Sequence, residues 1–330
     1  MPSDATFVST SVDELIGRGV DLRPLESVGK SGARLERITI DGEPFVVKHL
    51  DRESDWTMRA SGFDGFAPVE LWRRGILQAL PECIRQPIVA VAEDATAALL
   101  MEDVSAWLVP STDDPIPTDQ NERFLDHMAQ VHATFWSTDL PIDVVTPAAR
   151  YLELSPAMGE AELARGSTDL VPALVRRGWP LFEEVAPVAA AVVVPLAHDP
   201  LPLVDALATT PQTFVHGNWK LDNLGTDDAG RTVLFDWEIP GRASPLSDLA
   251  WYLAINCRRL PVTKEASIEL YRAALERQGI DTELWWGRQL ALCLLGALVQ
   301  FGWEKALGGY DEELAWWEER AVAGGSMLFP

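Results

Sequence analysis

Cysteine is scarce in this chain: Cys83, Cys257 and Cys293 are the only three in 330 residues, with no Cys-x-x-Cys pair. That spacing offers no disulfide framework and no thiolate metal cage, and the odd count suits a reduced compartment. Positive charge is scarce as well. Lys and Arg number 27 against 50 Asp and Glu, a net charge of −23, which argues against nucleic acid or an anionic membrane as partner. A cationic substrate and a solvated acidic surface accommodate that balance equally well. The N-terminus shows neither a basic n-region nor an apolar h-region, so no signal peptide is predicted and a cytoplasmic location is expected. The longest apolar stretch, Leu290 to Phe301, is interrupted by Gly296 and Gln300. It is too short for a bilayer and predicts a buried helix. Internal repeats and low-complexity tails are missing too.

With 47% hydrophobic and 23% charged residues the chain reads as globular, and its length suffices for two lobes with substantial cores. Ser11-x-x-Glu14 ahead of Leu15 and Ile16 has a capping-box pattern and predicts a short helix. Residues 25–50 predict three antiparallel strands, the first pair joined by Gly29-Lys30-Ser31-Gly32 and the second pair by an Asp41-Gly42 turn. The Gly-Lys-Ser triplet is not a Walker A motif, because Pro24 stands where the upstream glycine is required. It reads either as a loop covering phosphates, through Lys30 and Ser31, or as a plain hairpin turn. Lys48 closes the apolar run Phe45-Val46-Val47. A lysine on such a strand is costly to bury alone and should meet an anion.

Residues 95–110 predict a strand that runs out into a connection, and the Pro- and Asp-rich loop from Ser111 to Asp119 is a natural boundary. The segment 121–136 has helical spacing of Phe124, Leu125, Met128, Val131 and Phe135. His127 and His132 in it are too far apart to share a face as paired metal ligands. Residues 140–210 alternate Pro-bounded short helices, and the chain beyond 245 is helical through 322.

The most informative stretch is Val215-His-Gly-Asn-Trp-Lys-Leu-Asp-Asn223, followed by a hairpin turn at Asp227-Asp228-Ala229-Gly230 and by Leu234-Phe-Asp-Trp-Glu238. A strand–loop–strand of this kind can bring Asn223 and Asp236 to one point. One amide oxygen and one carboxylate, both hard ligands, suit Mg²⁺ that keeps several waters and shares phosphate oxygens with a nucleotide. His216, Asn218 and Asn223 take the first, third and eighth places of the catalytic-loop pattern H-x-D-x-x-x-x-N, and Asp236 takes that of the metal-binding Asp on the next hairpin.

Together with Ser247-Asp248-Leu-Ala250, these residues resemble the aminoglycoside phosphotransferase and choline kinase-like family, whose loop usually reads His-Gly-Asp and whose second motif is often Asp-Trp-Glu. The resemblance covers nearly the whole chain. It implies a bilobal, protein-kinase-like α+β fold, with an antiparallel-sheet, nucleotide-binding lobe over 1–104 and a mainly helical lobe with catalytic loop and acceptor site over 105–330. It implies transfer of the γ-phosphoryl group from ATP or GTP, with Mg²⁺, to a hydroxyl of a small molecule such as an aminoglycoside, an amino sugar or a related antibiotic. By position it gives Lys48 the phosphates, with Glu70 as that lysine's helix partner. Leu99, Leu100 and Met101 would back the base, and the backbone of Met101, Glu102 and Val104 would bond it. Asn223 and Asp236 would hold the metal, and Lys220 would reach the γ-phosphate. Asp248 would support the loop.

The departure is Asn218, which occupies the place of the catalytic Asp. An amide can orient a hydroxyl but cannot take its proton. Asp222, the nearest carboxylate in the loop, is open to three roles: substitute base, metal contact or solvated side chain. Three function classes follow. The first is an active small-molecule kinase, and the second a nucleotide-binding pseudokinase with a regulatory or scaffolding role. The third, a metal hydrolase on His216, Asp222 and Asp236, leaves Lys48 unexplained.

Overall fold

A computed structural model describes residues 8–9, 11–17, 19–25, 33–138, 141–309 and 311–329. The chain starts with β1 (Val8–Ser9), α1 (Val12–Ile16) and β2 (Val20–Pro24), then β3 (Leu35–Ile40) and β4 (Glu43–Leu50). Ser11 caps α1 as expected, its Oγ accepting from Glu14 N at 3.1 Å. The tight β3–β4 turn also forms, with Asp41 (φ 52°) and Gly42 (φ 86°) both left-handed. The first strand of the expected trio lies at 20–24, upstream of 25. Lys30 and Ser31 fall outside the described residues.

Two short helices follow, α2 (Trp56–Ala60) and α3 (Ala67–Arg73), and then β5 (Ile84–Arg85), β6 (Ile88–Glu93) and β7 (Ala97–Glu102). Six strands form one sheet in the order β1-β6-β7-β4-β3-β2, antiparallel except for the β1–β6 pair. Alternation along β4 and β7 sorts side chains to two faces. Val47 and Leu100 pack under α1 with Leu15 and Ile38. Val46, Leu50, Leu99 and Met101 join the main core. Lys48, two places from both Val46 and Leu50, therefore faces the main body.

That body consists of α4 (Thr118–Thr134), α5 (Pro147–Leu152), α6 (Pro156–Ala164), α7 (Leu170–Val185), α8 (Pro187–His198) and α9 (Leu201–Ala208). The small strands β8 (Thr213–Val215), β9 (Leu224–Thr226), β10 (Thr232–Leu234) and β11 (Gly241–Ala243) come next. The chain ends in α10 (Pro245–Ile255), α11 (Lys264–Arg277), α12 (Trp286–Leu307) and α13 (Glu312–Leu328). The apolar run seen in the sequence extends into α12, whose 22 residues are long and apolar enough to cross a membrane by length and composition. The sequence reading of it as too short is corrected by the helical continuation through Trp286–Gln289 and Gly302–Leu307. Most of this helix is buried against α7, α10 and α13.

Sheet and helical body are also joined by main chain. β5 pairs in parallel with β10, Leu108 forms a bridge to Gly225, and Val109 N donates to Leu224 O at 2.9 Å. A Cβ on Gly225 would lie 2.4 Å from Trp107 O, so only glycine allows that approach. Arg85 reaches Glu102 at 2.7 Å and Asp227 at 3.5 Å while stacking over Trp107.

Candidate active site

The loop 216–223 is held from below by one carboxylate. Asp248 sits in the first turn of α10, fully buried, and its two oxygens accept from the backbone N–H groups of His216 and Gly217, each at 2.8 Å. His132 of α4 lies 3.3 Å away through Nε2, its Nδ1 being 2.6 Å from the Tyr271 hydroxyl. Burial would raise the Asp248 pKa, but the His132 hydrogen bond and the nearby positive groups hold it below the ordinary carboxylate value. The loop support expected of Asp248 is what its hydrogen bonds provide.

His216 is locked as the Nε2–H tautomer. It donates to Phe235 O at 3.0 Å and accepts from Asn218 N at Nδ1 at 3.1 Å. Burial pushes its pKa down to about 4, so the ring stays neutral. Gly217 must be glycine. Its φ is 83°, and a Cβ would sit 2.1 Å from Arg150 Nη1 and 2.2 Å from Ile239 O. Arg150 Nη1 itself donates to Ile239 O at 2.7 Å, which presses α5 against the loop.

The hairpin brings the two sequence motifs together. Phe235 N meets Asn223 O at 3.4 Å, and Asn218 Nδ2 donates to Asp236 Oδ2 at 3.1 Å. Asp236 has a left-handed backbone, φ 70°, a cost of about 1–3 kcal/mol for a non-glycine residue and one that clusters at functional positions. Its Oδ1 accepts from Lys48 Nζ at 2.6 Å, and Lys48 also bonds Glu238. Burial would raise the Asp236 pKa, but Lys48 and Lys220 hold the carboxyl well below the usual range. Glu238 shares the same lysine. One cation does not neutralise two carboxylates, and Glu238 is the one pushed up, to about 8, by burial and by Asp236. Lys48 stays charged despite burial because of this acidic pair.

Several expected pairings differ. Glu70 does not reach Lys48; its carboxylate is bonded by Arg74 at 2.9 Å, one helical turn on. Lys48 finds its anions on the distant hairpin instead. Glu102 N donates to Pro87 O, and Val104 O accepts from Trp107 N, both within 3.0 Å. Each of these two groups thus has a backbone partner, and the Glu102 side chain pairs with Arg85. Met101 is buried between β4 and β6 partners. Lys220 is half-buried and Asp222, in the turn Leu221–Asn223, is exposed.

Sequence reasoning passed over four charged groups around this centre: Asp55, Arg150, Glu153 and Glu238, all buried. Asp55 caps α2, with Oδ1 accepting from Thr57 N at 2.8 Å and Met58 N at 3.3 Å. Burial pushes its pKa up, against the pull of Lys48. Only Glu238 carried a signal, as the last residue of Asp-Trp-Glu.

The donor set fits Mg²⁺. An amide oxygen and an ionised carboxylate are hard oxygen ligands, of the kind that Mg²⁺ takes together with waters and substrate phosphates. Asn223 spends its amide N–H on Asn218 O at 3.0 Å, and no described residue donates to its Oδ1. Asp236 stays ionised beside it.

A family model described as the phosphotransferase enzyme family matches residues 27–288. No curated protein matches the chain. Among solved structures, the chain is similar to choline kinase LicA from Streptococcus pneumoniae, at 13% identity over 96% of this chain and 97% of that one, with a TM-score of 0.53. It is also similar to a thermostable mutant of aminoglycoside phosphotransferase APH(4)-Ia in apo form, at 15% identity, 96% and 97% coverage and a TM-score of 0.50. A further mutant of that enzyme, in ternary complex with AMP-PNP and hygromycin B, gives 16% identity, 96% and 97% coverage and a TM-score of 0.50. At such identities these likenesses establish the fold, the bilobal α+β kinase-like architecture expected from the motifs.

Proposed function

This chain belongs to the phosphotransferase enzyme family, and from that premise we propose that it moves the γ-phosphoryl group of ATP or GTP to a hydroxyl of a small, hydroxylated molecule. The observation that carries the reading is the clasp of Lys48 on Asp236, with Asn218 Nδ2 on the same carboxylate and Asn223 bonded in turn to the Asn218 carbonyl. On this reading the nucleotide binds between residues 1–104 and 105–330. Lys48 lets go of the acidic pair and takes phosphate oxygens instead, an exchange of one anion for another inside a buried site. Asn223 Oδ1 and the Asp236 carboxylate would hold Mg²⁺, which would supply neutralisation of phosphate charge when bound. Asn218 orients the acceptor hydroxyl, and Lys220 lies on the side of the γ-phosphate. Phosphoryl transfer through a loose transition state depends mostly on such positioning and charge.

The acceptor is a small hydroxylated molecule such as an aminoglycoside, an amino sugar or a related antibiotic, and a net charge of −23 is compatible with a cationic one. Three unpaired cysteines accord with a cytoplasmic place of work. The test has two parts. Calorimetric titration with Mg-ATP and Mg-GTP should show binding by wild type and at least about ten-fold weaker binding by Lys48→Ala. Equal affinity would remove Lys48 from the phosphate site. ADP release is then screened against hydroxylated amines, sugars and antibiotics. Asn218 favours one competing reading, a pseudokinase, and binding without acceptor-stimulated ADP release would establish it.

A further inference from the structure

Beside the site, two buried carboxylate oxygens have no hydrogen-bond partner: Asp55 Oδ2 and Glu153 Oε2. Leaving such an oxygen unpaired costs about 1–3 kcal/mol or more, so an orphan in a native fold asks for a reason. Glu153 is only 4% exposed. It closes α5 one turn after Arg150, on the face whose guanidinium lies under Gly217. The helix α2 is pinned over the same place. Gly62, just past its end, approaches Ala149 of α5, and Arg59 bonds Glu162 of α6 at 2.6 Å. Asp55 and Asp236 both act electrostatically on Glu153 from across this junction, and so does Lys220.

We infer that Glu153 is a catalytic residue of the phosphotransferase reaction proposed above, its carboxylate taking the proton of the acceptor hydroxyl in place of the aspartate that position 218 lacks. The other carboxylates have different settings. Asp236 is shared by Lys48 and Asn218, Glu238 is bonded by Lys48, Asp55 caps α2, and Asp222 faces solvent. Among these acids Glu153 is the buried one with neither oxygen hydrogen-bonded by a described residue, whereas Asp55 keeps only Oδ2 unpartnered. The charges that face it are mixed. Burial, Asp236 and Asp55 disfavour its ionised form, and Arg150 and Lys220 favour it, which leaves the carboxyl pushed up to about 7. A base is most effective when its pKa lies near the working pH.

The step balances as follows. The hydroxyl proton passes to Glu153, and the oxygen's electron pair forms the bond to the γ-phosphorus. The bond from that phosphorus to the β–γ bridging oxygen breaks, and the nucleoside diphosphate leaves with its electron pair. Glu153 returns the proton to water as product departs.

The test uses Mg-ATP with water, choline and hygromycin B as probe acceptors and reads ADP release against pH, with AMP-PNP affinity measured in parallel. Wild type should gain rate as pH rises, with a midpoint near 7. Glu153→Gln should lose roughly 10²-fold in rate and that midpoint, with unchanged AMP-PNP affinity. Asn218→Asp added to Glu153→Gln should restore turnover, which a merely structural role for Glu153 would not allow. Failure of wild type to bind AMP-PNP would sink the phosphotransferase reading itself. With binding intact, a Glu153→Gln protein that turns over like wild type overturns only the assignment of Glu153. So does a double variant as slow as the single one, or a wild type that releases no ADP at any pH. Should Glu153→Gln fail to fold, the wild-type profile decides, and a midpoint in the ordinary carboxylate range overturns the assignment.

Discussion

Two buried acids flank the catalytic loop and live in opposite surroundings. Asp248, beneath it, has both oxygens filled by backbone N–H groups and a histidine on one side, and its pKa is held low. Glu153, on the α5 side, keeps an orphan oxygen, and its pKa is pushed up to about 7. Burial is the largest influence on both. What separates them is the number of donors each has been given. A carboxylate saturated with hydrogen bonds is an inert strut that fixes backbone; one denied them is destabilised in its charged form and ready to accept a proton. Donor count therefore sorts buried acids into scaffold and chemistry more surely than burial does.

The strongest way to break this contrast is to remove the strut. Asp248→Ala should leave two N–H groups and His132 without their acceptor and cost about 3–5 kcal/mol in urea unfolding. A loss below about 1 kcal/mol would mean that the loop holds itself. Next in size is Gly217→Ala, which combines a left-handed backbone with a collision against Arg150 and Ile239 O. It should cost roughly 3 kcal/mol and weaken turnover further than stability alone explains, because the loop must move off Arg150.

Glu153→Gln should act in the other direction. Its carboxyl is raised from 4.5 to about 7, so the folded state keeps a proton over a range in which the unfolded chain has lost it. Wild-type stability contributed by this group is highest below 4.5 and is lost as pH rises through about 7. The glutamine variant lacks that loss. It should match wild type in acid and exceed it in mild alkali by on the order of 2 kcal/mol, seen as a thermal-unfolding difference that grows with pH. Such a gain, bought with activity, is the usual trade at a functional site. The smallest effect sharpens the comparison by serving as control: Glu70→Gln, whose carboxylate pairs with Arg74, should change stability within about 0.5 kcal/mol and leave Mg-ATP affinity unaltered.

Much of this arrangement was readable from residue order. The turn at Asp41-Gly42, the helix cap at Ser11 and the loop-hairpin unit from His216 to Glu238 are short-range features, each specified within a few residues. They placed Asn218, Asn223 and Asp236 together before any coordinates did. The partner of Lys48 was not readable in that way. Glu70 is its helix neighbour in sequence, whereas Asp236 and Glu238 lie 188 and 190 positions away. Glu153 left no local signal, since Leu152-Glu153-Leu154 ahead of a Ser-Pro helix start looks like any exposed turn. Only the closure of α5 and α2 over the loop hides it. His132 was similarly opaque: its spacing said nothing of Asp248.

The seam between sheet and helices has a mechanical meaning. β5 with β10, Leu108 with Gly225 and the stacked Arg85 stitch the connection on both sides of residue 102. A clamshell swing about that point would have to unzip backbone bonds, each worth roughly 1 kcal/mol and all strained together. The joint is a riveted bracket, not a pivot. Breathing of the cleft is thus left to elements outside the rivets, and heat should melt the chain in a single cooperative step with no intermediate of one lobe standing alone.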